Sequence, residues 1–208
     1  MPVSFDRFGT LVAAERPRAP ASAVAAALRE RGVAVPDDWA VAYREPHADV
    51  PPGAERSLPA HVADALESRG VDAAAGVVED ATLAAFDRPV QRRDGARAAV
   101  GAAGDRGPVA VLSNCSVPGL VERALDRAGL DGAFDAVAAS VDCGWRKPHE
   151  RSFRAVAAAL DAEPRALVHV GDDPETDGGV ESVGGRAVLL PETPLESVPA
   201  ELEGAPCR

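Results

Sequence analysis

The chain has 208 residues, 46% of them hydrophobic but only 4% aromatic, enough for one core or a core carrying an insertion, built largely from Ala and Val. Its 33 acidic and 22 basic residues give a net charge of −11, which argues against nonspecific binding to nucleic acid or to an anionic lipid surface. No stretch approaches the roughly 18 apolar residues a membrane span needs, and MPVSFDRFGT at the start has neither a basic leader nor a signal-length apolar run, so a cytoplasmic protein is expected.

In chain order, the first predicted strand is Val3 to Phe5, followed at once by Asp6 and the turn-forming Gly9. From about 15 to 88 the pattern is helical and Ala-rich. Val24, Ala27 and Leu28, and then Leu58, Val62, Ala65 and Leu66, recur at helical spacing. Between them PHADVPPGAERS (46–57) must be a loop, because three prolines and a glycine interrupt any ladder. No convincing strand is found in this block.

After Pro89 amphipathic helices alternate with apolar strands. Ala96, Ala99, Val100 and Ala103 line a helix before the strand Val109–Leu112. Val121, Ala124, Leu125 and Ala128 precede the strand Phe134–Ser140. Phe153, Val156, Ala157 and Leu160 precede the strand Leu167–Val170, and Arg186–Leu190 is the last. Such alternation predicts an α/β fold, a Rossmann-like parallel sheet covered by helices on both faces. The expected organisation is a core of 1–14 and 89–190, an all-helical insertion of 15–88, and a proline-rich surface extension of 191–208. Cys115, Cys143 and Cys207 are read as reduced thiols.

Ligands of such sheets bind beyond the carboxyl ends of the strands. Those positions hold Asp6, then Ser113 and Asn114, then Gly144–Pro148, then Gly171, Asp172 and Asp173 with Asp177. Singly, each has an ordinary reading as a cap, a turn or a solvated acid. Lys147 is harder to set aside, being the only lysine among 22 basic residues. Acidic excess with so little lysine points to adaptation to high salt, and a GC-rich genome would push the same way. Neither accounts for one lysine retained.

FDRFGTLV (5–12) resembles the first motif of the haloacid dehalogenase superfamily, hhhhDxDGT. VLSN (111–114) resembles the second, GWRKPHERSF (144–153) the third, GxxKPxxxxF, and HVGDDPETD (169–177) the fourth, GDxxxxD. The resemblance covers the core, and the insertion sits where that superfamily carries its helical cap. It implies a hydrolase with Asp6 as covalent nucleophile and Lys147 as a fixed ammonium, a geometry arginine does not replace. Thr10, Ser113 and Asn114 would hold substrate oxygens. Mg²⁺ would be held by Asp6, the backbone carbonyl of Phe8, Asp172, Asp173 and Asp177. A small-molecule substrate, a phosphate ester or related anion, is implied. Nothing in 15–88 spells out a ligand, and the oligomeric state stays open.

One position departs from the motif. Phe8 stands where the phosphatases of the superfamily carry the aspartate that protonates the leaving alcohol, a contribution of about 10²- to 10⁴-fold. Three readings follow: a Mg²⁺-dependent phosphohydrolase without its usual acid, a 2-haloacid dehalogenase-type enzyme whose halide leaves without a proton, or a non-catalytic relative. The dehalogenases use no metal and have a less acidic fourth motif. Three aspartates crowding a nucleophile are electrostatically reasonable around a cation, so the phosphohydrolase is the reading taken. His149 is expected at a helix start and His169 packed in the core, while Tyr43, Arg44 and Arg56 are candidates to face substrate from the insertion. Cys115 is not expected to act as a nucleophile.

Overall fold

The computed structural model describes residues 1–15 and 17–204. Cys207 lies outside them. Five strands, β1 (Val3–Phe5), β4 (Val109–Ser113), β5 (Ala136–Ala139), β6 (Val168–Gly171) and β7 (Arg186–Leu189), form one parallel sheet in the order β5-β4-β1-β6-β7. β1, β4 and β6 are buried throughout, which is why they read as continuous apolar runs. Strand alternation divides the core between two faces. Val3, Phe5, Val109 and Val111 pack on one side with Val170 and Val188, and Ala110 and Leu112 pack on the other with Phe153, Val156 and Leu167.

Two short strands were not foreseen. β2 (Val12–Ala14) and β3 (Val90–Arg92) pair antiparallel, with Val12 opposite Arg92 and Ala14 opposite Val90. They flank the helical block, which comprises α1 (Pro20–Glu30), α2 (Trp39–Ala42), α3 (Leu58–Glu67) and α4 (Ala75–Phe86). Pro20 begins α1, where its missing N–H costs nothing. Ser57 caps α3 by accepting from the Ala60 N–H at 3.3 Å. The block has its own apolar cluster, centred on Val24, Leu28, Trp39, Val62, Leu66 and Val78.

The remaining helices are α5 (Ala96–Gly104), α6 (Leu120–Arg127), α7 (Ser140–Cys143), α8 (Glu150–Ala159), α9 (Pro174–Asp177) and α10 (Val198–Glu203). α7 shortens the strand expected at 134–140. No helix among the described residues is long and apolar enough to cross a membrane.

Residues 191–204 are not a surface extension. Leu195, Val198 and Leu202 sink into the main core beside α5, and Pro199 falls in the first turn of α10, where it is tolerated. Replacing Leu202, which is fully buried, by Ala should therefore cost about 2–5 kcal/mol, read as a shift in the denaturant midpoint. A tail lying on the surface would give a change near zero.

Candidate active site

The strand order places the carboxyl ends of β1, β4 and β6 side by side at the middle of the sheet. Asp6 follows β1 directly, and its N–H still bonds the Val170 carbonyl at 2.8 Å, so its backbone is fixed by the sheet. The chain then folds tightly, with the N–H groups of Leu11 and Val12 both donating to the Arg7 carbonyl. Gly9 has a φ of +90°, and a Cβ there would lie 2.1 Å from a carboxylate oxygen of Asp172. Glycine is needed for both reasons. It lets Asp172 approach the loop of Asp6, where Thr10 Oγ1 donates to Asp172 Oδ1 at 3.0 Å.

Lys147 crosses from the loop after α7 into the same place. The residue is 3% exposed, and its ammonium donates to Asp6 Oδ1 at 2.7 Å and to Asp177 Oδ1 at 2.6 Å. Its backbone is gripped by the side chain of Asn114, whose Oδ1 accepts from the Lys147 N–H at 2.8 Å while Nδ2 donates to the Lys147 carbonyl at 3.0 Å. Both ends of the Asn114 amide are thus engaged in holding the lysine. Any contact of Asn114 with a substrate falls to its backbone. Ser113, at the end of β4, is buried.

Beneath the lysine lies a polar network that the sequence did not reveal. His169 stands opposite Ser4 in the β1–β6 register, and Ser4 Oγ is 2.8 Å from His169 Nδ1. His169 Nε2 lies 3.0 Å from Asp177 Oδ1. Burial and the nearby Lys147 charge hold the His169 pKa below its ordinary value, so the ring is neutral. Asp177 only accepts, so Nε2 carries the proton and the Ser4 hydroxyl donates to Nδ1. Burial opposes the Asp177 charge, but His169 and Lys147 outweigh it and keep this carboxyl well below the usual range. Asp6 goes the other way: burial raises its pKa, Lys147 opposes the rise and Asp177 adds to it. His169 is packed in the core, as expected, but within a polar network. Its partners are remote in sequence, and only the strand register brings them together.

The five-member ligand set expected for a metal is not assembled. Among the described residues no three His, Cys, Asp or Glu side chains are grouped to hold an ion. Asp177 turns inward because Gly171 has no Cβ, which would otherwise lie 2.1 Å from the Asp177 carboxyl. Its Oδ2 accepts from the Asp173 N–H at 3.0 Å, so both oxygens are engaged. Asp173 is exposed and caps α9, accepting from the Glu175 N–H at 2.9 Å. Asp6 and Asp172 remain beside the loop of Phe8. Two carboxylates and a carbonyl fit Mg²⁺, which takes one or two carboxylates and keeps several waters.

Other candidates lie elsewhere. His149 caps α8 and stacks on Trp145 with ring centroids 4.2 Å apart. Tyr43 packs on Trp39 and His61, Arg44 is exposed, and Arg56 pairs with Asp64. Burial pushes the Cys115 thiol up. The helical block contacts the core through its 46–57 loop. Glu55 accepts from Ser140 Oγ at 2.5 Å and pairs with Arg146 at 2.7 Å, and Ala54 bridges Trp145.

Comparison with known proteins bears on the family and the fold. A family model described as a haloacid dehalogenase-like hydrolase matches residues 3–179. A phosphoserine phosphatase of Thermus thermophilus is 38% identical over 95 residues, a match covering 43% of this chain and 38% of that protein. The chain therefore aligns with well under half the length of that relative. The structure of a 2-haloacid dehalogenase from Pseudomonas syringae superposes with a TM-score of 0.70 at 22% identity, over 97% of each chain. That of a predicted phosphoglycolate phosphatase from Haemophilus somnus superposes with a TM-score of 0.53 at 18% identity, over 90% of this chain and 83% of that one. These likenesses establish the fold, and the family match extends from the first strand through the acidic loop after the fourth. The chain is a member of the haloacid dehalogenase-like hydrolases.

Proposed function

We propose that the protein is a Mg²⁺-dependent phosphohydrolase acting on a small phosphorylated metabolite through an aspartyl intermediate on Asp6. The observation that carries this reading is Asp172. Its carboxylate is held beside the Asp6 loop by a neutral hydroxyl, that of Thr10, while the only lysine is already shared between Asp6 and Asp177. A second carboxylate without a cation of its own among the described residues, next to a carboxylate nucleophile, suits a divalent ion. Asp6, Asp172 and the Phe8 carbonyl would hold it, and bound there it would neutralise charge on the transferring phosphoryl oxygens. The partial match to a phosphoserine phosphatase supports the same chemistry.

The chain's own residues divide the work. The free oxygen of Asp6 attacks phosphorus as the bond to the leaving oxygen breaks, its partner oxygen staying bonded to Lys147, and water then hydrolyses the aspartyl phosphate to release phosphate and return the carboxylate. Lys147, the Ser113 hydroxyl and the Asn114 backbone N–H face the oxygens of the transferred group, a preorganised positive environment. His169, Asp177 and Ser4 hold the ammonium in place from below. Phe8 has no proton to give. An acidic surface with one lysine suits function at high salt, and assays belong there.

Phe8 favours a second reading, dehalogenation of a 2-haloacid, because a halide leaves without a proton. One experiment separates them. A series of phosphate esters of graded leaving-group pKa is compared with a 2-haloacid, with Mg²⁺ and with EDTA. The expected result is turnover of aryl and acyl phosphates only with Mg²⁺, simple alkyl phosphates being poor, and a preferential gain for alkyl esters in Phe8→Asp. Haloacid turnover that persists in EDTA would instead establish the dehalogenase. No turnover of any substrate by the folded protein would mark a non-catalytic relative.

A further inference from the structure

Arg7, between the nucleophile and Phe8, is a charged residue that the roles above do not use. It is 5% exposed. Its Nη1 donates to the Leu120 carbonyl at 3.1 Å, its guanidinium sits 5.3 Å from the centre of the Phe8 ring, and its Nε is buried without a hydrogen-bond partner. It pairs with no acid of the described residues. Of the nearby acids, Asp87 is matched to Arg123 and Arg127 and Glu55 to Arg146, while Glu15 lines the same cavity and forms no ion pair with Arg7. A buried cation balanced by one carbonyl and a ring face is costly to keep. It calls for an anion from outside.

The space for one is present. Arg7 lines a cavity of about 220 Å³ between the core and the helical block, together with Phe8, Phe86, Val90, Asn114 and Leu120. Asp6 does not line it, but the cavity begins at the two residues that follow Asp6 and at the asparagine that clamps Lys147. At about 30 Å³ per water it holds a group of a few heavy atoms. Its walls are mixed: Phe8, Phe86, Val90 and Leu120 stand beside Glu15 and Asp87 and beside Arg88 and Arg146, so that with Arg7 the charged lining carries one net positive charge, which suits a monoanion better than a dianion. A guanidinium fork in such a place matches one planar monoanion.

We propose that Arg7 is a specificity residue that binds a carboxylate carried by the substrate, so that the protein acts on short carboxylic acids bearing the phosphoryl group. This rests on the phosphohydrolase reading for the reacting end and on the cavity for the other. The test compares phosphoglycolate with its primary amide, and calorimetric binding of glycolate with that of glycolamide, in wild type, R7M and R7Q. Wild type should favour the acid over the amide by about 10- to 100-fold in kcat/KM and in binding, the worth of a charged hydrogen-bonded pair. Both variants should bring that ratio close to one. R7M removes an unpaired buried cation and should melt no lower than wild type, and R7Q keeps a polar side chain should R7M fail to fold. Turnover of both esters without acid preference, or a preference that survives in the variants, overturns the carboxylate site and leaves the hydrolase reading standing. Glycolate binding that depends on Arg7, with neither ester turned over, upholds the site and sinks the hydrolase reading.

Discussion

Asn in place of Asp6 removes hydrolysis, with kcat falling on the order of 10⁴- to 10⁶-fold, as for enzymes that lose a covalent nucleophile. The substitution keeps the size of the side chain, and Lys147 keeps Asp177 at 2.6 Å, so the protein should remain folded. A single-turnover experiment would then show no burst and no trapped phosphoenzyme. Activity near the wild-type level in Asp6→Asn would end the covalent mechanism. The same residue sets a pH dependence. Asp6 must be ionised to attack, and burial raises its pKa above the ordinary 3.8 despite Lys147. That rise belongs to the site without a cation, and a Mg²⁺ held by Asp6 would act the other way, so the acid limb of kcat/KM should move to lower pH as Mg²⁺ is raised, with activity rising as pH increases through it.

Substituting Lys147 should have the widest consequences, because on the proposed function one ammonium serves both the chemistry and the fold. Lys147→Met leaves Asp6 and Asp177 buried without their cation, a loss of about 3–5 kcal/mol, or roughly 10 °C in Tm for a domain of this size. Lys147→Arg keeps the charge, and every other basic residue of the chain except histidine is arginine. Yet the space between two carboxylate oxygens at 2.7 and 2.6 Å admits a compact ammonium rather than a planar fork. Both variants should lose at least about 10²-fold in kcat, comparable to deleting one stabilising donor. Asp177 gives the stability effect its pH signature. Its folded pKa is lowered, so its contribution is present above the unfolded value and disappears only as pH falls through the folded one. Wild type should keep this contribution at mildly acidic pH, and Lys147→Met should unfold at a higher pH. Full activity in Lys147→Arg would reduce the lysine to a fixed charge of no special shape.

The parallel sheet was legible because its strands are short apolar runs, each followed by a polar cluster. Asp6, Ser113, Lys147 and Asp172 could be named for the same reason. Less legible was what each polar group faces. Asp172, Asp173 and Asp177 look alike in GDDPETD, and only the missing Cβ of Gly171 decides that Asp177 turns under the lysine while Asp173 caps a helix. The side chain of Asn114 clamps a residue 33 positions away, which nothing in the sequence announces. His169 and Ser4 are joined only by strand register. In the tail, four prolines obscured Leu195, Val198 and Leu202, whose helical spacing was the better signal. β2 and β3 are three residues each, too short for periodicity to announce.

That pair of strands has a consequence for how the molecule can vary. The chain leaves the core through Val12–Ala14 and returns through Val90–Arg92, hydrogen-bonded side by side, so exit and re-entry are one strand spacing apart, about 4.8 Å. To the sheet, the four intervening helices are the tip of a single hairpin. Closing such a tip costs only about 0.6 kcal/mol more for each doubling of its length. The length of that segment thus adds little to the closure cost borne by the sheet below, apart from the contacts that Leu58, Leu83, Phe86 and Glu55 make with the core. Insertions, deletions or a wholesale exchange of that segment can alter what reaches Asp6 while the strands that hold Asp6 stay as they are.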